Sequence, residues 1–139
     1  MTDADALREA IPQMMAKART ALLQARLMPA DEQWDAAANR AYYAVFRAMT
    51  AALASAGQAY AKHSGVIAFF RQRFIKTGVL PEEFSDIIEG LSENRTIGDY
   101  SFQLSVDPQE VADGLADAER FVEAVATYLG EQGLSGTQS

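Results

Sequence analysis

The chain reads as an all-α, up-and-down bundle of about five helices, and three observations carry that reading. Apolar residues recur in alternating steps of three and four in segment after segment, the period of a helix with one buried face. Alanine is abundant in a sequence that is 49% hydrophobic, which favours closely packed helices over sheet. A length of 139 residues suits one domain whose core needs no staples. We expect that domain over residues 1–130 and a flexible, Gly/Ser-rich tail over 131–139.

In the first helix Ile11, Met14, Ala18, Ala21, Ala25 and Met28 share a face. Pro12 suits a first helical turn, so the helix proper is expected to begin there, with residues 3–10 a kinked or separate turn. Pro29 stops it, and Asp31 is expected to cap the second helix, which runs from about Asp31 to Ala56. That helix carries two adjacent stripes: Trp34, Ala38, Ala41, Val45, Ala48 and Ala52, then Tyr42, Phe46, Met49 and Leu53. So wide an apolar arc marks a central helix with neighbours on several sides.

Ser64 is expected to cap a third helix through Lys76 that buries Val66, Ile67, Phe70 and Phe74. Gly78 ends it, and Pro81 opens a fourth with Phe84, Ile87, Ile88 and Leu91. "TIGDYSFQLS" reads as a break beginning around Gly98, with at most a marginal strand. "DPQE" then supplies Asp107 as cap, Pro108 at the first helical position and Glu110 at the third. The fifth helix repeats Val111, Leu115, Ala118, Val122, Val125 and Leu129, with Phe121 and Tyr128 alongside.

Composition removes several kinds of chemistry. There is no cysteine, hence neither a disulfide framework nor a thiolate metal site. A single histidine, His63, excludes a two-histidine zinc centre. No metal or other cofactor is implied. No apolar run approaches the roughly 18–20 residues that span a bilayer. The acidic start "MTDADALREA" lacks the layout of a secretory signal, so a soluble cytoplasmic protein without a membrane partner is the expectation.

The net charge of −7 is unevenly spread. Residues 1–60 hold six acids and six bases, residues 61–76 four bases and no acid, and residues 77–139 thirteen acids and two bases. A general nucleic-acid binder carries a broad basic surface. This chain does not, so any RNA contact must be local.

No glycine-rich phosphate loop, HExxH, GxSxG or Glu-x-x-His pair occurs. His63 has no orienting partner nearby in sequence, so it reads as a helix-entry or surface residue rather than a general base. "FFRQRF" has aromatics between bases, as base-stacking surfaces do, but the spacing reads as a core face with snorkelling arginines. Two stretches rise above these: "NRAYYAVFRA" in the second helix and "RTIGDY" after the fourth. Asn39 and Tyr43, four apart, share a helix face.

With the "KHSGVI" connection, "TGVLP" and the acidic last helix, these stretches resemble the HEPN family, small α-helical bundles, over roughly residues 12–130. The stand-alone prokaryotic members, which read "RAYYA.F" and end the fourth helix with an arginine followed by "ADY", look most similar. The resemblance implies a homodimer with both arginine motifs lining one cleft. Many members are metal-independent ribonucleases with an Arg-x4-6-His motif. Others are encoded beside a minimal nucleotidyltransferase as toxin and antitoxin, and are modified on a tyrosine two residues after that histidine.

Arg95 matches the motif arginine, but Tyr100 stands where the histidine would be. Phe102 occupies both the longest histidine spacing and the place of the modified tyrosine. A phenol ionising near pH 10 is a poor base at neutral pH, which argues against cleavage and modification of the usual kind. The expectation is therefore a nucleotide- or RNA-binding, regulatory HEPN-like homodimer, paired with a nucleotidyltransferase partner in a toxin–antitoxin system. Its ligand site would comprise Arg95, Asp99, Tyr100, Asn39 and Tyr43, with Arg95 the candidate catalytic residue. One alternative is a metal-independent endoribonuclease using Arg95 with an atypical acid or base. The other is a protein-interaction bundle, in which Asn39 satisfies a backbone group, Tyr43 is core and Arg95 simply pairs with Asp99.

Overall fold

The computed structural model describes residues 2–100 and 106–134. Five helices run in chain order: α1 (Asp3–Leu27), α2 (Trp34–Ser55), α3 (His63–Phe70), α4 (Glu83–Tyr100) and α5 (Pro108–Glu131). They form the expected all-α up-and-down bundle, with no strand among the described residues. The marginal strand considered near residues 101–105 lies outside the described residues, as do Phe102 and residues 135–139 of the tail. Among the described residues no helix is long and apolar enough to cross a membrane.

The central position of α2 follows from its two stripes. It touches all four other helices, and most of its buried residues are alanines, from Ala37 to Ala54. Short side chains let neighbouring backbones approach, so larger groups from the flanking helices fill the space. Ile11, Met15 and Leu22 of α1, Phe70 of α3, Ile88 of α4 and Phe121, Val122 and Leu129 of α5 are all buried. Arg19 and Arg26 reach Glu123 and Glu119 at 2.6 Å and tie α1 to α5 at the surface, where such pairs contribute at most about 1 kcal/mol each.

The fourth helix starts at Glu83, two residues after the Pro81 expected to open it, and four further boundaries differ from the sequence reading. First, α1 is continuous from Asp3, with Pro12 inside it. A capping box between Thr2 and Asp5 starts the helix, Leu7 packs on the core, and the Arg8 guanidinium donates to the Ser55 carbonyl at 3.4 Å. This anchoring outweighs the single backbone donor that proline lacks. Second, the cap position of α2 falls at Gln33 rather than Asp31. Met28–Asp31 form a 3-10 turn, Glu32 is left-handed, and Gln33 holds the cap position without a side-chain bond.

Third, Ser64 is not the cap of α3. Lys62 occupies that position in extended conformation, so His63 is the first helical residue. Beyond Phe70 the helix widens into one π-type turn, Arg71–Ile75, closed by Lys76 N–H donating to the Arg71 carbonyl at 2.9 Å. "FFRQRF" behaves as a core face: Phe70 and Phe74 are buried, and Arg71 reaches Glu89 at 3.3 Å.

Fourth, the helix does not break at Gly98 but continues to Tyr100. A β-carbon on Gly98 would sit 3.1–3.3 Å from the Cβ, Cα and carbonyl oxygen of Asp35. The glycine serves close approach between α4 and the start of α2, not a turn. Asp35 exploits that proximity by accepting the Val106 N–H at 3.1 Å. As the sequence implied, Asp107 caps α5 by accepting from Gln109 N–H at 2.9 Å, with Pro108 at the first position.

Candidate functional site

One face of α2 supplies the floor of the site. Asn39, Tyr42, Tyr43 and Phe46 follow the i, i+3, i+4, i+7 spacing that stacks side chains on one helix face. The tight α2–α4 approach at Gly98 brings Arg95 and Asp99, one turn apart, over that floor. The Arg95 guanidinium carbon lies 5.0 Å from the Tyr42 ring centre and 5.5 Å from that of Tyr43. Both distances are within cation–π range.

Polar contacts fix the arginine's heading. Arg95 Nε lies 3.3 Å from Asp99 Oδ2, and Asn39 Nδ2 donates to the same oxygen at 3.0 Å. Asn39 is itself held: its Oδ1 accepts from Arg40 Nε at 3.1 Å and Nη2 at 2.7 Å. Arg40 also lies over the Tyr43 ring at 5.1 Å. The Arg95 and Asp99 side chains are 20% and 26% exposed, so the pair is sheltered yet reachable.

The site also contains a residue that its neighbours in sequence do not mark. His63, entering from the start of α3, stacks on Phe46 with ring centres 4.0 Å apart and meets Tyr43 edge-on at 5.7 Å. Its Nδ1 is 3.0 Å from the Tyr42 hydroxyl. The orienting partner absent from the local sequence is thus supplied from 21 residues upstream. Arg95 and His63 meet the same two tyrosine rings, one from α4 and one from α3. The sequence reading as a helix-entry residue holds, but the residue is not remote from the candidate site.

Electrostatics keep this imidazole neutral. Desolvation lowers the His63 pKa from its ordinary 6.5, and the nearby charges of Arg95 and Arg47 lower it further. The Tyr42 hydroxyl is pushed up, chiefly by burial, with Arg95 opposing and Tyr43 reinforcing the shift. Tyr42 therefore stays protonated, and two neutral groups share the bond. If His63 Nδ1–H donates to the Tyr42 oxygen, Nε2 keeps its lone pair and can accept a proton.

This has a measurable consequence. His63 is the sole histidine, so NMR titration should follow a single imidazole with a midpoint below 6.5, and Arg95→Gln should raise that midpoint. The sign for stability follows: as pH falls below about 6.5 the unfolded chain takes up this proton first. The stabilising contribution is complete above that pH and disappears as pH falls through the folded midpoint.

Of the residues expected in the site, Arg95, Asp99, Asn39 and Tyr43 come together. Tyr100 closes α4, and its side chain lies outside the described part of the structure. The Arg95–Asp99 pair of the purely structural reading also exists, but as part of a larger cluster. A cavity of about 480 Å³ between α3 and α4 contains neither Arg95 nor His63; its charged lining is Arg71, Glu89 and Glu93, which does not suit an anion.

An all-α bundle with a motif arginine on its fourth helix, facing a Tyr-Tyr pair on its second, defines a class, and comparison with known proteins identifies it. Residues 11–128 match the HEPN domain. A UPF0332 protein of Thermotoga maritima is 36% identical over 113 residues, covering 81% of this chain and 86% of its own. A UPF0332 protein of Gloeobacter violaceus is 29% identical over 119 residues, 85% of this chain and 94% of its own. A Methanocaldococcus jannaschii protein named "Putative toxin" is 28% identical over 119 residues, 86% of this chain and 81% of its own. The chain belongs to the HEPN domain family.

Proposed function

We propose that this protein is a toxin-type HEPN component whose Arg95 site holds a phosphodiester of RNA. The observation that carries this is the placement of Arg95: a guanidinium laid on two tyrosine rings, aimed by Asp99 and still partly exposed. A planar cation on a fixed mount suits a phosphate oxygen, because its donors are pre-aligned. The name carried by the Methanocaldococcus relative supports the toxin context. In this reading the protein works as a homodimer, and a nucleotidyltransferase is its partner protein. Fluorescence anisotropy with labelled single-stranded RNA tests the site. Arg95→Ala should weaken binding by about tenfold or more, the value of one charge-assisted contact, and unchanged affinity would remove Arg95 from the ligand site.

The His63–Tyr42 bond favours a second reading in which the bound RNA is cut. Neutral His63 Nε2 would take the proton from a ribose 2′-hydroxyl, O2′ would bond to phosphorus, and the P–O5′ bond would break. The departing O5′ would take its proton from water, leaving a 2′,3′-cyclic phosphate and a 5′-hydroxyl. Arg95 would stabilise the charge on the phosphorane oxygens. Cleavage in chelator that vanishes in His63→Ala while RNA binding persists would support this reading. Binding without cleavage in the wild type would end it.

A further inference from the structure

Beside the Arg95 site lies a groove of about 320 Å³ between α1 and α2, lined by Lys17, Thr20, Gln24, Arg40, Tyr43 and Arg47. Three of these residues are cationic, and no carboxylate lines the groove. In a chain of net charge −7 that is a local inversion of sign.

Of twelve lysines and arginines, Arg8, Arg19, Arg26, Arg71, Arg95 and Arg120 form ion pairs with carboxylates of this chain. Among the described residues the other six, Lys17, Arg40, Arg47, Lys62, Arg73 and Lys76, have no carboxylate within 4.0 Å, and the groove gathers three of them. Arg40 does make a close polar contact, but to the neutral amide oxygen of Asn39 rather than to a carboxylate. Arg40 and Arg47 are seven residues apart on α2, about 10 Å along the helix, and Lys17 faces them from α1.

The groove and the Arg95 site share a wall. Tyr43 lines the groove, and both Arg40 and Arg95 lie over its ring, at 5.1 and 5.5 Å. A chain of phosphates leaving Arg95 across Tyr43 would meet Arg40, then Arg47 and Lys17. Thr20 and Gln24 add neutral hydrogen-bonding groups along the α1 side. We propose that this groove is a second phosphate subsite that tracks the backbone of the RNA held at Arg95. This assignment rests on the RNA reading of the Arg95 site, and it places the path of the strand along the α1–α2 face rather than in the larger α3–α4 cavity.

The test is a salt titration of anisotropy with a labelled oligouridylate, comparing wild type, Lys17→Gln/Arg47→Gln and Arg95→Ala. Lys17 is exposed and Arg47 half-buried at its surface, so the double variant should fold, which circular dichroism checks. Each single-strand phosphate contact contributes about 0.7 to the slope of log K against log salt. The double variant should therefore flatten the slope by about 1.4 and weaken binding tenfold or more at low salt, while Arg47→Lys should retain the wild-type slope. A double variant with wild-type affinity and slope overturns the groove, whatever Arg95→Ala does. If the double variant loses affinity and Arg95→Ala does not, the groove stands as a phosphate site and the Arg95 reading fails. If RNA binding is intact but light scattering shows the double variant converted from dimer to monomer, the occupant is a second copy of this chain, and the proposal is overturned.

Discussion

Phe121→Ala is expected to lower stability by about 3–5 kcal/mol, the usual cost of truncating a fully enclosed aromatic. Phe121 is 0% exposed. Its ring centre stands 4.9 Å from that of Phe84 on α4 and 5.4 Å from that of Phe70 on α3, so one side chain couples three helices. Truncation would leave a cavity between the Phe84 and Phe70 rings. Thermal unfolding should show a midpoint lower by about 10–20 °C. In urea the midpoint should fall with little change in slope, since the folded bundle survives. Phe69→Ala supplies the contrast: Phe69 is 37% exposed and stacks only on Tyr60 among the described rings, so its loss should be far milder. Equal losses for the two would contradict the core described above.

Gly98→Val is expected to destabilise by about 1–3 kcal/mol, the cost of overpacking a close contact, and to disturb the site as well. Relieving glycine of its helical entropy cost would by itself gain up to about 1 kcal/mol. The added carbons, however, meet the Asp35 backbone at the start of α2, already 3.2–3.3 Å from a first β-carbon. Backbone cannot swing aside as a side-chain tip can. The strain should push α4 away from α2 just past Arg95, loosening the guanidinium from the tyrosine rings. A lower melting temperature should therefore accompany a His63 midpoint shifted up toward 6.5. A fall in stability with an unmoved midpoint would show that the contact matters to the fold alone.

How much of this was legible beforehand depended on how local the physics was. Periodicity exposed the five helices, because burial of one face is written into consecutive residues. The wide apolar arc of α2 marked it as the central element for the same reason. The Asp-Pro start of α5 was readable from adjacent residues. Failures arose where a distant partner overrode a local preference. Gly98 looked like a helix breaker because nothing in sequence announces that Asp35 packs against it. Pro12 looked like a start because the capping box at Thr2 and the anchoring of Arg8 on Ser55 are weaker signals than a proline.

The site divides along the same line. Asn39 and Tyr43 were visible as a pair on one helix face, and Arg95 through its motif. His63 has no orienting neighbour in sequence, and its partner Tyr42 reads from sequence only as a residue of an apolar stripe. The single available clue was the uniqueness of that histidine, which says nothing about where the fold carries it. Lys17 was likewise invisible as a functional candidate, since only the pairing of α1 with α2 sets it opposite Arg40 and Arg47.

The alanine-rich helix α2 has a further consequence for how the site meets a ligand. It contributes Asn39, Arg40, Tyr42, Tyr43 and Arg47 while burying its other faces against every remaining helix. Backbone so enclosed opens only when the whole domain unfolds. In the phosphate-binding reading proposed above, the floor of the site would be preorganised and little ordering entropy would be lost there on binding. In that reading any adaptation would fall to the rim, the long cationic side chains and the partly exposed Asp99, and ligands would be told apart by their reach and charge rather than by reshaping the protein beneath them.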